Sequence, residues 1–310
     1  MGFLDYDGLL HFWQSIKTKF AAASHMHAIA DTMGLQAALD GKAAVGHKHV
    51  IADVDGLQAA LDSRASTGTA TTIVAENAAA HNVIYRGKDI TSMETSGELY
   101  VNIANGTFDD IYIGDYFTKS INGTNYVLRI AAFNYYYNMG EPAFTKPHAV
   151  IIPDSIFGLA QMNTSNVVTG GYVGTKMRTE TLKTWLSYLK TAFGSHLLTP
   201  RCLYDNKCDG SSYSGGTWYD GPLELMTEEQ VYGARQQGIT NHSGWCYPGL
   251  DYGQFPLFAL DHSRIYNRSA WWLRSVSSSA VFAFVADGGY AASYGGASAS
   301  YGVRPRFLIG

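Results

Sequence analysis

Apolar residues recur at every third or fourth position near the start of the chain. In "DYDGLLHFWQSIKTKF", residues 5–20, Leu9, Phe12, Trp13, Ile16 and Phe20 fall on one helical stripe, with Asp5 or Asp7 placed to cap it. One helix cannot bury such a stripe alone, so it is expected to dock on a partner or on copies of itself. "HMHAIADTMGLQAALDGKA" at 25–43 then returns as "HKHVIADVDGLQAALDSRA" at 47–65. Each copy offers a His-x-His, an Ile-Ala-Asp and a short helix with Leu35 and Leu39, or Leu57 and Leu61, on one face. Units this small enclose no core singly. Identical faces meeting on an oligomer axis would solve the burial problem.

Residues 66–80 are small and polar and read as a linker or short strands. From His81 the period changes to alternation: "NVIYRGKDITS" and "ELYVNIANGTF" predict strands, with turns at Arg86-Gly87-Lys88 and Asn105-Gly106. Asn122-Gly123 marks a hairpin between two further strands. A helix is predicted over 180–193: Thr179 caps it, Glu180 suits its positive end, Leu182, Trp185, Leu186, Leu189 and Phe193 form its buried face, and Gly194 stops it. "TEEQ" has capping-box form from Thr227 to Gln230. Long aromatic loops occupy 209–221 and 241–256. Near the end, "AVFAFVA" at 280–286, the turn residues Asp287-Gly288-Gly289 and "YAASY" predict a hairpin. Val281, Ala283 and Val285 share one of its faces and Phe282, Phe284 and Ala286 the other, without a sign of which is wet. Mixed strands, helices and aromatic loops define an α+β domain.

The 310 residues suffice for a sizeable core and more than one domain. With 15% charged residues, a formal net charge of −4 and no basic block, nucleic acid and anionic membrane are poor partners. No apolar run reaches the ~20 residues of a membrane span, and the first residues lack the order of a signal peptide, so synthesis in the cytoplasm is expected. Cys202, Cys208 and Cys246 are odd in number and lack metal-site spacing, which predicts reduced thiols. Tyrosine, at 21 copies beside 33 Gly, is the unusual feature: Tyr, Ser and Gly are the residues that antibody paratopes use for contact area and adaptable hydrogen bonding.

The repeated "H-x-H-x-I-A-D…GLQAALD" resembles a module of bacteriophage tail fibres and receptor-binding proteins, and "GLLHFWQSIKTKF" resembles their N-terminal helix. Over 107–310, "GTFDDIYIGDYF", "MNTSNVVTGGYVGTKMRT", "ELMTEEQVYG", "QFPLFAL", "WWLRSV" and "GVRPRFLI" resemble a domain of phages that infect gut Firmicutes. The last two blocks also resemble the framework of C-type-lectin-like folds, which include formylglycine-generating enzymes and the variable proteins of diversity-generating retroelements. The resemblance implies an attachment helix at 1–23, an elongated and trimeric helical or fibrous stalk at 24–66, a linker with short β structure at 67–106, and a C-type-lectin-like receptor-binding head at 107–310. It also implies a homotrimeric adhesin of the virion, held to a tail or baseplate protein by its N-terminus and gripping a bacterial surface glycan or protein. The alternatives are a glycan-depolymerising tailspike and a purely structural tail component.

In those variable proteins the segment before the end is the ligand-binding surface, which points here to Ser278, Ser279, Phe284, Asp287, Tyr290, Ser293, Tyr294, Ser298, Ser300 and Tyr301. The plain alternative is a small-residue hairpin packed under the "WWLRS" strand. Arg274, Arg304 and Arg306 are candidates to tie down the chain end through planar hydrogen-bonding forks. His25, His27, His47 and His49 admit two readings: an octahedral transition-metal site, iron or zinc, on a trimer axis, or packing and hydrogen bonding to Asp31 and Asp53. No cofactor is otherwise required. Asp205, Asp209, Asp220, Glu224, Asp251 and Asp261 form no distinctive carboxylate pair, and no compact calcium motif accompanies Asp287, so no enzymatic activity is expected. The cysteines depart from the copper-holding pair of the formylglycine-generating enzymes.

Overall fold

The structure, a computed structural model, describes residues 5–19, 33–42, 54–57, 70–205, 216–237 and 253–310. It divides into two compact units, Met1–Thr67 and Gly68–Gly310. In the first, a helix spans Tyr6–Lys19, with the Asp5 carboxylate accepting the Gly8 N–H at 2.8 Å. Nothing in it is buried, and Leu9, Phe12 and Trp13 stand in solvent. The first repeat forms a helix over Leu35–Asp40, entered through Gly34 at φ +80°. The four repeat histidines, with Asp31 and Asp53, lie outside the described residues.

The second unit is α+β. In chain order its strands are β1 (Tyr116–Ile121), β2 (Thr124–Phe133), β3 (Ala149–Pro153), β4 (Leu159–Gln161), β5 (Leu197–Leu198), β6 (Arg201–Asp205), β7 (Gly216–Asp220), β8 (Leu223–Leu225), β9 (Trp271–Ser278), β10 (Val281–Val285), β11 (Ala291–Ala292), β12 (Ser300–Gly302) and β13 (Pro305–Ile309). One sheet runs β1-β2-β3-β13-β5, with β8 also paired to β13, and is antiparallel throughout. Its strand β13 is buried along its whole length. A second sheet runs β11-β10-β9-β12-β4, antiparallel except where β12 meets β9. One apolar core includes residues of both, such as Ile151 and Phe307 from the first and Trp271 and Phe284 from the second.

Several predicted elements form. Asn122-Gly123 turns β1 into β2 with both residues at positive φ. The helix Leu182–Phe193 buries Leu182, Leu189 and Phe193, with Phe193 against Phe307 at 5.3 Å and Trp185 stacked on Phe157 at 4.4 Å. Its cap is not Thr179, because the helical path begins one turn earlier, at Met177–Thr181. Buried Thr175 serves instead, accepting the Arg178 N–H at 3.2 Å. The capping box at Thr227 is complete, with Gln230 closing it from the other side.

The expected linker and strands of 67–106 are helical instead, over Ala70–Asn82, Thr91–Ser96 and Glu98–Ala104, and they belong to the same compact unit. In "ELYVNIA" the alternation of Leu99, Val101 and Ile103 is coincidental: the helix buries Leu99, Tyr100 and Ile103 and leaves Val101 in solvent. Only isolated bridges remain of the other strand, Tyr85 to Ile113 and Asp89 to Tyr116. The helix over 70–82 draws on its five alanines and Glu76, which favour helix over the Thr, Ile, Val and Asn between them. His81 of that helix stacks on Tyr112 at 4.7 Å, and Asn82 exchanges two hydrogen bonds with the Phe133 backbone.

Candidate functional site

Three buried arginines hold the frame from which the C-terminal surface is built. Arg304 donates to the carbonyls of Pro153 at 2.9 Å and Arg264 at 2.8 Å, and its guanidinium lies over the Trp271 ring. Burial pulls its pKa down to about 10, so it stays a cation at neutral pH. Arg306 donates to the Gly221 carbonyl at 2.7 Å and to the Cys202 sulfur at 3.0 Å, and lies over Tyr136. Arg274 stacks on Tyr204 at 4.3 Å. Fork hydrogen bonds and flat stacking together require guanidinium, which lysine cannot replace. The neighbouring indoles are anchored too: Trp272 Nε1 donates to the Ala160 carbonyl at 2.8 Å.

On this frame, Tyr301 stacks on Phe284 at 4.3 Å and tilts against Trp272 at 4.7 Å, while Tyr294 meets Phe284 edge-on at 4.9 Å. Tyr294 and Tyr290 remain exposed, at 73% and 57%. The neighbouring Tyr290 side chain, with some desolvation, raises the Tyr294 phenol above its ordinary pKa. Asp287, Tyr294, Ser300 and Tyr301 line one depression of about 350 Å³ together with Leu159, Arg268, Ser269 and Ala270. That volume lies within the range of small-molecule clefts. The cleft exists because β12 pairs with β4 on one side, Tyr301 opposite Ala160, and with β9 on the other, Gly302 opposite Trp271.

The remaining predicted residues are not gathered there. Phe284 is fully buried and supports the tyrosines from beneath, so it cannot face a ligand. The question of which hairpin face is wet dissolves: Phe282 through Ala286 are all buried, because core lies on both sides of β10. Ser293 donates to the Gln237 side chain at 2.8 Å, and Ser298 bonds twice to Asn166 Oδ1. Ser278 is half-buried at the tight turn into β10, and Ser279 is exposed. The small residues between them are packing requirements as much as freedom. A Cβ on Gly296 would sit 2.2 Å from Asn166 Oδ1, and one on Gly295 2.3 Å from the Tyr301 hydroxyl.

Carboxylates considered for hydrolysis have structural partners. Glu224 is buried, ion-paired with Arg178 at 3.0 Å and accepting the Tyr172 hydroxyl at 2.6 Å. Asp220 pairs with Arg201 and Asp261 with Arg264. Asp209, Asp251, Cys208 and Cys246 lie outside the described residues, as does the side chain of Asp205. Cys202 is a buried thiol. Among the described residues no group of three or more His, Cys, Asp or Glu is placed to hold a metal, and no helix is long and apolar enough to cross a membrane.

Sequence reasoning overlooked Leu159, Arg268 and Ser269. Arg268 and Ser269 stand directly before "AWWLRS", but nothing in their spacing marks them, and Leu159 arrives through strand pairing alone.

Residues 19–76 match the family model described as phage tail repeat like, which supports a phage tail-related protein. The matched region contains both His-x-His repeats. No curated protein and no solved structure gives a significant match.

Proposed function

We propose that this chain is the receptor-binding component of a phage tail, a homotrimer on the virion whose N-terminal helix attaches to a tail or baseplate protein. The head is C-type-lectin-like, and its cleft at Asp287, Tyr294, Ser300 and Tyr301 grips a bacterial surface receptor without covalent chemistry. One observation carries the reading: the exposed Tyr294, the half-buried Tyr301 and two serines line a cleft on an arginine-anchored frame, in a chain that also matches a phage tail repeat model. Rigid aromatic contact area beside small polar residues is how adaptable binding surfaces are made. Three heads on one stalk bind by avidity, since the second and third contacts are intramolecular.

The test is adhesion of the purified, fluorescently labelled chain to host bacteria, with release of reducing sugar from host polysaccharide followed in parallel. Saturable adhesion without sugar release is expected. Steady sugar release would replace the reading with a depolymerase, and no adhesion would leave a structural tail component.

A further inference from the structure

Six non-glycine residues among those described adopt positive φ: Phe108, Asp110, Asn122, Asn134, Asn138 and Arg268. Asparagine tolerates this region cheaply. Phe108 is buried in the core, and Asp110 is paired with Arg86 and Lys88. Arg268, at φ +56°, differs from them. It is exposed, and its guanidinium has no hydrogen bond or ion pair among the described residues. Glycine or asparagine would serve the backbone better, by about 1–2 kcal/mol for glycine. Among the described residues the side chain therefore gives the fold no hydrogen bond or ion pair while its backbone costs stability, a combination that points to function.

Its position supplies the function. Arg268 lines the cleft together with Tyr294, which is exposed, Tyr301, which is half-buried, and Ser269, Ser300 and Asp287. Among the described residues only one Asp287 oxygen is engaged, accepting the Gly288 N–H at 2.9 Å. A flat, unpaired guanidinium fits a carboxylate through two parallel hydrogen bonds. The aromatic rings offer an apolar platform for the C–H face of a pyranose, and the free Asp287 oxygen accepts from sugar hydroxyls.

We propose that the cleft binds a carboxylate-bearing sugar of the bacterial surface, a uronic or sialic type of residue, with Arg268 holding the carboxylate. The inference rests on the receptor-binding reading of this cleft. Poly(glycerol phosphate), which also suits arginine, has no ring to lie on the tyrosines.

The experiment titrates the full chain with galacturonate, glucuronate and N-acetylneuraminate oligosaccharides, with maltotriose and poly(glycerol phosphate) as comparisons. At least one acidic sugar is expected to bind, at least tenfold more weakly to Arg268→Gln and to Arg268→Gly. Arg268→Lys should recover little, lacking the fork. Arg268→Gly removes the backbone strain and keeps the test open should the glutamine variant fold poorly. Equal binding by wild type and both variants, preference for poly(glycerol phosphate), or binding of maltotriose alone would overturn the proposal. Adhesion to host cells separates the two levels: undiminished adhesion by Arg268→Gln ends this inference and leaves receptor binding standing, whereas no adhesion by wild type removes both.

Discussion

Arg304 and Pro153 are joined by a hydrogen bond of 2.9 Å that crosses 151 positions of sequence, from the guanidinium Nε to the backbone carbonyl. The bond is buried, so its loss leaves an acceptor without water. Arg304→Lys cannot reach both Pro153 and Arg264 or lie flat over Trp271. It should lower unfolding free energy by about 2–3 kcal/mol in urea titrations.

Tyr294 and Phe284 touch each other but should respond oppositely to truncation. Tyr294→Ala removes a ring exposed to solvent and should leave stability within about 0.5 kcal/mol while reducing host adhesion at least tenfold. Phe284→Ala empties a fully buried site and should cost about 3–5 kcal/mol, seen as a large fall in melting temperature.

His148 makes stability depend on pH. Its Nε2 accepts the Tyr136 N–H at 3.0 Å, which leaves Nδ1 to donate to the Lys146 carbonyl at 2.9 Å. Complete burial is the main reason its pKa falls from 6.5 to about 4, and the nearby Arg306 charge adds to the effect. The unfolded chain then binds the proton more readily than the folded one between those values. The contribution is full above pH 6.5 and shrinks as pH falls toward 4, by about 3 kcal/mol in total. Denaturant titrations at pH 7.5, 5.5 and 4.5 should show this decline, and His148→Gln should flatten it relative to wild type.

Gly302 forms the junction of β4, β12 and β9. A Cβ there would lie 2.5 Å from Ile156 Cγ2 and 3.0 Å from the Ala270 carbonyl. Gly302→Ala should cost about 1–3 kcal/mol and, if the cleft holds the receptor as proposed, weaken host adhesion, because Ala270 lines the cleft. Thermal melts and adhesion measured on one preparation would check both.

The apolar stripe of Tyr6–Lys19 is exposed in the single chain. Phe12→Glu combined with Trp13→Glu should convert the proposed trimer to monomer in light scattering. Wild type that is itself monomeric would remove the trimer from the proposed function.

Where a local pattern dictates local structure, the chain is legible. The first helix, the Asn122-Gly123 turn, the capping box at Thr227 and the final hairpin all depend on neighbours within a few residues. Glu98–Ala104 misleads because both periods fit its apolar residues, and packing of Tyr100 rather than Val101 decides. Four of the ten proposed contact residues meet in one cleft, yet Leu159 and Arg268 join them only through pairings between distant strands. Composition also overstates the freedom of "GGASAS". Ala297 is wholly buried and its neighbouring glycines have side chains against them.

Strand β13 pairs with β3, β5 and β8, all of which lie far back in sequence. Such non-local closure is slow to search, so substitutions that weaken the frame are expected to slow folding. Contacts formed after the rate-limiting step influence how fast the native state is lost, not how fast it is reached. Substitutions at the exposed Tyr290, Tyr294 and Ser300, outside that frame, are then expected to alter the proposed receptor contacts while leaving the refolding rate nearly unchanged in stopped-flow measurements.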